Sequence, residues 1–569
     1  MRRGRDDNWE LSMITNQAFL GIGGSGHDFS AALVSKGNLQ IAIEEERIDR
    51  SKHGSRIWHS HPCNLALNYC LSATNIRLED VASIYIPQDH VRRESQILGR
   101  QVIRIGHHLA HAAASFYPSP FQEAAVLVID GHGGHIETSS KDTNNLETIS
   151  IGSASGSSIA LNTLQSGIKT VTSTTWHHVV SNSLGSFYKA VSDLIGFGFF
   201  GVGKLMGLAA YGDNSLLSEM RKWVDIDVAG KFYFDPYSGF SDWVQHTLRC
   251  SRNSAQIRAN IAAAVQKIFE ETVLRLAKHC QQVTGAKYLS YGGGCALNTV
   301  ANRRILDETK FKSLYIFPAP GDAGLAVGAA YFGYYIETGA YRFPSELQTL
   351  GTQAYCGRKY GEDEMKQALD KYPVLYHRAT DTVNTVTKRL LEGEIIGIFR
   401  ERSEIGPRAL GNRSIITLPD SSIRRRFINM RVKNRETFRP FAPVVIFEAM
   451  SKFFELEDES PFMLLVAKVR PEWRASLGAI THADETARVQ TVRRESNPFL
   501  YDLLVTVENH TGIPVLLNTS FNRRNEPIVE SPEDALSCFL NQELDTLLLG
   551  KYIVEKHTPW ACPSEQIVP

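Results

Sequence analysis

The sequence predicts a mixed α/β protein built as two units, and three observations carry that expectation. Short apolar runs of strand length alternate with stretches of helical spacing along most of the chain. Its 569 residues are several times the roughly 150 of a typical domain, so more than one hydrophobic core is required. Between Gly339 and Thr352 the periodicity lapses into Gly, Tyr, Pro and Thr, the composition of a linker. The units therefore run over residues 18–341 and 355–569.

Taken in order, Phe19–Gly23 and Ser30–Val34 read as strands. Ser35-Lys36-Gly37-Asn38 is a turn and Leu39–Ile43 a third strand, so the chain opens as a β-meander. His107-His108-Leu109-Ala110-His111 starts an Ala-rich helix. Ala124–Ile129 is wholly apolar and ends in Asp130-Gly131, the pattern of a buried strand that delivers a carboxylate at its tip. Ile257–Gln281 has apolar residues at helical spacing. Tyr288–Ser290 followed by Gly292-Gly293-Gly294 reads as strand, Gly-rich turn, helix. The second unit, Tyr355 to Lys556, holds a strongly basic stretch in which eleven cations face four anions between Arg400 and Arg439. No internal sequence repeat is visible.

Lys+Arg and Asp+Glu both number 61, and this neutrality argues against a protein that grips a nucleic-acid backbone. No apolar run approaches the roughly 20 residues that cross a bilayer, so no membrane partner is expected. The basic start lacks an apolar signal stretch, and Met13 could be the natural initiator after a dispensable tail. Eight dispersed cysteines without a C-x-x-C pair indicate neither a disulfide framework nor a zinc knuckle. A cytoplasmic location is expected.

Two motifs are decoys. Gly21-Ile22-Gly23-Gly24-Ser25-Gly26 fits the dinucleotide fingerprint, but that fingerprint must open a helix and here a strand follows. Gly198-x4-Gly203-Lys204 resembles a P-loop, but Leu205 stands where the magnesium-binding hydroxyl belongs.

Several residues have the chemistry of a site. His107 and His111, at i and i+4, point the same way and suit either a metal or a solvated capping pair, while His108 points aside. Asp130 at its strand tip and Asp322 in Gly321-Asp322-Ala323-Gly324 offer oxygens, Asp322 also as a helix N-cap. Such a set suits iron(II), manganese or zinc rather than copper or calcium. His27 is a general base or a hydrogen-bonded turn residue. Glu44-Glu45-Glu46-Arg47 with Lys52-His53 packs charge at a strand end, which is also the look of a solvated edge. Gly406-Pro407-Arg408 and Lys433 to Arg439-Pro440 set cations in rigid surroundings that suit phosphate, against the plainer reading of a solvated basic face. Leu517-Asn518-Thr519-Ser520-Phe521-Asn522 clusters small hydrogen-bonding residues after an apolar strand.

Together, Gly23-x3-His27-Asp28-x-Ser30-Ala31-Ala32, Glu44-Glu45-Glu46-Arg47, His107-His108-Leu109-Ala110-His111-Ala112, Gly203-Lys204-Leu205-Met206-Gly207, Gly406-Pro407-Arg408-Ala409-Leu410-Gly411, Arg439-Pro440-Phe441-Ala442-Pro443 and Asn518-Thr519-Ser520-Phe521-Asn522 resemble the O-carbamoyltransferases of nodulation-factor and antibiotic biosynthesis. The resemblance spans nearly the whole chain. It implies an N-terminal actin/sugar-kinase-like ATPase fold joined to a C-terminal YrdC-like α/β domain. It implies that the second domain makes carbamoyl adenylate from carbamoyl phosphate and ATP with Mg2+. The first domain, carrying Fe(II) or another first-row divalent metal, then passes the carbamoyl group to a hydroxyl of a small-molecule natural product.

By the same resemblance His107, His111, Asp130 and Asp322 hold the metal and His27 is the base. Arg408, Lys433, Arg439, Arg488, Asn518 and Ser520 bind carbamoyl phosphate and ATP. Ser119, Ser183, Gly203, Lys204, Gly293, Gly294 and Asn298 bind the adenylate, and Glu44 and Lys52 lie on the acceptor side. A homodimer is compatible with this reading. Two features depart from the family pattern: Gly134-His135 stands where an acidic residue is usual, and Ser25 replaces an acidic contact to cationic acceptors. Both bear on the acceptor and leave its identity open. A tRNA threonylcarbamoyl-type modifier is the alternative, disfavoured by the neutral charge and the fused second domain.

Overall fold

In the computed structural model, residues 17–54, 64–89, 96–97, 99–136, 145–171, 177–344 and 350–556 are described. The opening meander forms where the apolar runs require it: β1 (Ala18–Gly23), β2 (Ser30–Ser35) and β3 (Asn38–Glu44) are antiparallel neighbours. Gly37 makes the tight turn at φ 72°, a conformation glycine adopts without steric cost. β4 (Val81–Pro87), β5 (Gln96–Ile97) and β6 (Arg100–Ile105) complete a sheet of order β3-β2-β1-β4-β6-β5, in which β4 runs parallel to β1 and β6. Helix α1 (His107–Phe116) follows β6.

The second sheet contains β7 (Glu123–Ile129), β8 (Asn145–Ser155), β9 (Ser158–Val171) and β10 (His177–Val180). After α2 (Leu184–Leu194) and α3 (Val202–Ala209) comes a two-stranded ribbon, β11 (Val224–Ile226) and β12 (Phe232–Phe234). The long helix expected over Ile257–Gln281 is α4 (Ser254–Thr284), capped by the Asn253 side chain and ended by Gly285 at φ 65°. β13 (Tyr288–Gly292) and β14 (Ser313–Tyr315) complete the order β10-β9-β8-β7-β13-β14, and α5 (Leu325–Thr338) closes the unit.

The five strands β9-β8-β7-β13-β14 repeat β3-β2-β1-β4-β6 in order and direction: a three-stranded meander, then two parallel strands. The first unit is thus duplicated in topology although its sequence shows no repeat. Helices α1 and α5, each following the last strand of one half, cross at a Cβ-free contact. A Cβ on Gly328 would lie 1.9 Å from the Ala110 carbonyl oxygen, and one on Gly21 1.9 Å from that of Ala326. The N-terminal ends of the two helices are thereby fixed against the tips of β1 and β7.

The second unit is one mixed sheet of β15 (Val374–Arg378), β16 (Ile396–Phe399), β17 (Arg413–Thr417), β18 (Ala442–Ile446), β19 (Leu465–Lys468), β20 (Thr486–Val492), β21 (Val515–Ser520), β22 (Thr546–Leu549) and β23 (Tyr552–Lys556). Its order is β15-β23-β22-β16-β17-β21-β18-β20-β19, with buried apolar clusters packed against it. The basic helix Ser422–Phe427 runs into a π-helical turn, Ile428–Val432, which delivers Lys433 and Arg435 to the sheet.

The units meet along a buried seam. Arg47 donates to the Gly406 carbonyl (2.6 Å) while Glu44 accepts the Gly406 N–H (2.5 Å) and pairs with Arg47 Nε (2.8 Å). Gly406 itself sits at φ 93°, where a Cβ would meet the Pro318 carbonyl oxygen at 2.4 Å. Arg50 adds bonds to the Pro527 and Ile528 carbonyls. One apolar cluster runs across the junction, from Phe317 and Ala319 to Ile405, Leu410 and Phe462.

Candidate metal centre and anion pocket

The crossing of α1 and α5 brings four predicted ligands together. His107 and His111 share one face at the start of α1, Asp130 ends β7, and Asp322 opens the turn before α5. One ligand atom from each lies within 4.8 Å of the others, and all four residues are buried. The two Nε2 atoms are 3.0 Å apart, and the carboxylate oxygens stand 3.5 to 3.9 Å from them. Bonds of about 2.0–2.2 Å to one ion place adjacent ligand atoms roughly 3.0–3.5 Å apart, so a first-row divalent cation fits with small adjustments.

The charge pattern agrees. Burial works against a charge on His107, but Asp89 and Asp130 outweigh it and hold its proton affinity well above the usual imidazole range. Burial together with the His107 charge keeps His111 neutral. Two carboxylates and two imidazoles thus converge on a single point where positive charge is favoured. Asp89 Oδ1 accepts the His107 Nδ1–H at 2.8 Å, orienting the ring as an outer carboxylate orients a metal-bound histidine. Asp130 Oδ1 accepts the Gly294 N–H at 2.8 Å, and Ser25 donates to Asp322. His108 points elsewhere, its Nδ1 2.7 Å from Ser150 Oγ.

His27 lies beside the cluster, within the field of Asp322. Its Nδ1 is 3.0 Å from Asp28 Oδ2, and Nε2 has no partner among the described residues. Burial alone would lower its proton affinity, but the Asp28 hydrogen bond and the charges of Asp322 and Asp28 raise it.

The residues expected around the adenylate divide. Ser183 caps α2, accepting the Ser186 N–H and donating to the Gly131 carbonyl at 2.6 Å, so it fixes the β7 tip. A Cβ on Gly293 would strike the Ile129 carbonyl oxygen at 2.2 Å, and Gly294 touches Asp130 through its N–H. Gly203 faces open space, and Lys204 pairs with Glu436 of the second unit at 3.0 Å. Asn298 is consumed by a buried network with Gln266 and the Ala301 N–H. Ser119 lies beyond the opposite end of α1, about 15 Å along the helix from the cluster. Its hydroxyl accepts the Phe121 N–H, and Arg342 reaches both that hydroxyl and the Ser119 carbonyl. Ser119 thus belongs to the Arg342 joint, away from the histidine–carboxylate cluster. Glu44, expected on the acceptor side, has its carboxylate engaged by Arg47 and Gly406 in the seam. Lys52 is buried enough for its proton affinity to fall, in the fields of Glu46, Arg439, Asp28 and Arg435.

In the second unit Arg408, Arg435, Arg439 and Arg488 converge. Burial and the neighbouring guanidiniums depress proton affinity throughout, bringing Arg408 down to about 10 and holding Arg435 and Arg488 well below the usual range. Arg408 Nε, Arg488 Nε and Asn518 Oδ1 are buried without partners among the described residues. Buried donors that repel one another and lack acceptors describe an anion pocket. Arg439 stands at its rim, a third exposed and 3.9 Å from Glu436. Arg435 belongs to the set although no motif singled it out; its guanidinium lies over Phe441 at 4.6 Å and donates to Asn429. Lys433 is occupied, donating to the Ser520 and Asn522 carbonyls and to Asn522 Oδ1, so it fixes the turn that carries Ser520. Asn518 donates to Gln490 at 2.7 Å.

Fold and sites together define a two-unit chain that pairs a buried histidine–carboxylate cluster with a pocket of converging guanidiniums. Comparison with known proteins gives the family. Residues 89–331 match the family model for the carbamoyltransferase N-terminus and residues 387–556 that for the carbamoyltransferase C-terminus. The chain is 33% identical to nodulation protein NolNO of Sinorhizobium fredii, over 94% of this chain and 79% of that protein. It is 31% identical to the 3'-hydroxymethylcephem-O-carbamoyltransferase of Streptomyces clavuligerus, over 60% of this chain and 62% of that enzyme. Among solved structures, HypF of T. kodakarensis aligns with 56% of this chain and 48% of its own at 13% identity and a TM-score of 0.38. The chain belongs to the carbamoyltransferase family and is a transferase enzyme. No helix among the described residues is long and apolar enough to cross a membrane.

Proposed function

We propose that this enzyme is an ATP-dependent O-carbamoyltransferase in which the second domain makes carbamoyl adenylate and the first transfers the carbamoyl group to a hydroxyl of a small-molecule acceptor. The observation that supports it most is the pairing, on one chain, of a buried histidine–carboxylate cluster with a pocket of converging guanidiniums. Arg408, Arg435, Arg439 and Arg488 would bind carbamoyl phosphate and the triphosphate of Mg2+-ATP, each fixed guanidinium contributing about 2–4 kcal/mol where phosphate charge develops. Water first cleaves carbamoyl phosphate to carbamate and inorganic phosphate. A carbamate oxygen then attacks the α-phosphorus of ATP, and the bond to the β-phosphate breaks as pyrophosphate leaves. The mixed anhydride then has a better leaving group, AMP, than the carbamate itself.

In the first domain, Gly293, Gly294 and Ser183 shape the floor beneath the adenylate. His107, His111, Asp130 and Asp322 would hold Fe(II) or another first-row divalent cation, which supplies Lewis-acid polarisation when bound. His27 Nε2 faces the acceptor side and takes the hydroxyl proton as the carbamate ester forms. Transfer from one domain to the other without release would keep the intermediate from water, which would hydrolyse it.

The test separates the half-reactions. Wild-type protein should exchange pyrophosphate into ATP only when carbamoyl phosphate is present. His111→Ala should keep that exchange and lose transfer, and Arg439→Ala should do the reverse when supplied with carbamoyl adenylate. Exchange without carbamoyl phosphate, or cleavage of ATP to ADP alone, contradicts the reading.

A further inference from the structure

Behind His27 stands a second pair of residues that the reaction as described does not use. Asp28 presents both carboxylate oxygens to imidazoles: Oδ2 is 3.0 Å from His27 Nδ1 and Oδ1 is 2.8 Å from His53 Nδ1. A carboxylate only accepts, so each histidine must carry its proton on Nδ1. His53 is held in turn. Its backbone N–H donates to Glu46 Oε2 at 2.6 Å, and its ring stacks on Phe200 with centroids 4.1 Å apart and planes 5° from parallel. His27 meets the same phenyl ring edge-on at 5.4 Å. Asp28 and His53 both adopt left-handed backbone conformations, at φ 54° and 60°, which cost energy for side chains of this kind. Two strained residues that grip one another beside the reacting base are what a positioning device looks like.

We infer that Asp28 and His53 are positioning residues that fix His27 as the Nδ1–H tautomer, leaving the Nε2 lone pair as the proton acceptor for the incoming hydroxyl. This rests on His27 being the base in the transfer proposed above. In that step the acceptor O–H proton passes to His27 Nε2, the oxygen bonds to the carbamoyl carbon, and the bond from that carbon to the AMP oxygen breaks. AMP departs as the phosphate anion and the imidazolium returns its proton to water. Burial works to raise the Asp28 carboxyl, but the bonds from His27 and His53 hold it well below the usual range, so it stays an acceptor throughout.

Nitrogen-15 NMR of the histidine-labelled full chain at pH 8.5 reads the tautomer without turnover, with His27 assigned by signal loss in His27→Gln. Wild type should show protonated Nδ1 and bare Nε2. In Asp28→Asn the amide offers a single acceptor to two rings, and the His27 proton should move toward Nε2. With n-propanol as the acceptor probe, Asp28→Asn should lose about 10²–10⁴-fold in transfer kcat. His53→Ala should lose about tenfold, and His53→Gln, which still donates to Asp28, should recover to within about threefold. Unaltered carbamoyl-phosphate-dependent pyrophosphate exchange in these variants reports an intact fold. A wild-type Nε2–H tautomer, or an unchanged tautomer in Asp28→Asn, overturns the inference. The expected tautomers in a wild-type protein without exchange activity would instead overturn the proposed function and leave the positioning pair standing.

Discussion

In the first unit, carboxylates and imidazoles crowd one point, and, against its burial, Asp89, Asp130 and Asp322 raise the proton affinity of His107. In the second, four guanidiniums crowd one pocket, and among the described residues Arg408, Arg435 and Arg488 form no ion pair with a carboxylate. The first site is partly satisfied by the protein, with outer partners in Asp89, Gly294 and Ser25, while His111 Nδ1 and Asp89 Oδ2 are buried without partners among the described residues. The second is left with buried unpaired donors that only an anion relieves. On the proposed function, a cation would be held throughout at the first site, whereas an anion would enter and leave the second at every turnover.

Breaking the first site should have the largest effect. Asp130→Asn removes one ligand charge and should lower transfer at least about a thousandfold, in line with the several kcal/mol a Lewis acid supplies. Metal measured by elemental analysis should fall from near one per chain to under a tenth. His108→Ala, one residue off the ligand face, should keep its metal; equal loss in both would erase the distinction between ligand and neighbour. Next comes Arg488→Ala, expected to cost about 10²–10³-fold in carbamoyl-phosphate-dependent pyrophosphate exchange, with metal content unchanged. A loss of metal in that variant would mean the two sites are not separate.

A smaller effect concerns pH. Burial, with Arg488 and Arg425 nearby, holds the His482 imidazole down at about 4 despite Asp484. The unfolded chain takes up a proton near pH 6.5 that the folded chain refuses until about 4. This share of stability is complete above pH 6.5 and lost as pH falls toward 4, on the order of 2–3 kcal/mol. Urea midpoints across that window should flatten in His482→Gln; an unchanged slope removes His482 from the account. Smallest is the stabilisation by inorganic phosphate at ten times its Kd, about 1.4 kcal/mol, read as a rise in Tm. It should vanish in the double variant Arg408→Ala, Arg488→Ala, whose own Tm without phosphate should not fall, because the remaining cations repel less.

Much of the histidine–carboxylate cluster was legible because its members sit at places that sequence pattern marks: the i,i+4 pair opening a helix, a carboxylate at a strand tip, an aspartate before a helix. Asp89 was not, because nothing in the two residues after β4 announces which ring they will meet. Arg435 lay in plain view within the basic stretch, but charge counting cannot say which guanidiniums turn inward. Ser119 carried no signal of its own: its assignment rested on the family resemblance alone, and its hydroxyl is engaged by the Phe121 N–H and by Arg342. The hairpin of β8 and β9, 11 and 14 residues long, escaped notice because its Ser, Gly and Thr blur the alternation that marks strands. The doubled topology of the first unit was hidden for a related reason. The two halves keep strand order and crossing geometry, which many sequences satisfy, and share no residue pattern that a repeat search would detect.

The grip on Gly406 constrains how such enzymes can be recombined. Three segments hold that residue, from Glu44–Arg47, Pro318–Ala319 and its own turn, although they lie far apart in the sequence. A hybrid that borrows its second domain from a relative, with the crossover placed in the linker near Gly351, would import a foreign Gly406 turn into native partners. Exchanging all three segments together is the cut that respects the molecule. Libraries of chimeras designed on the linker alone should yield mostly insoluble chains, and those that carry the matched trio should yield active ones.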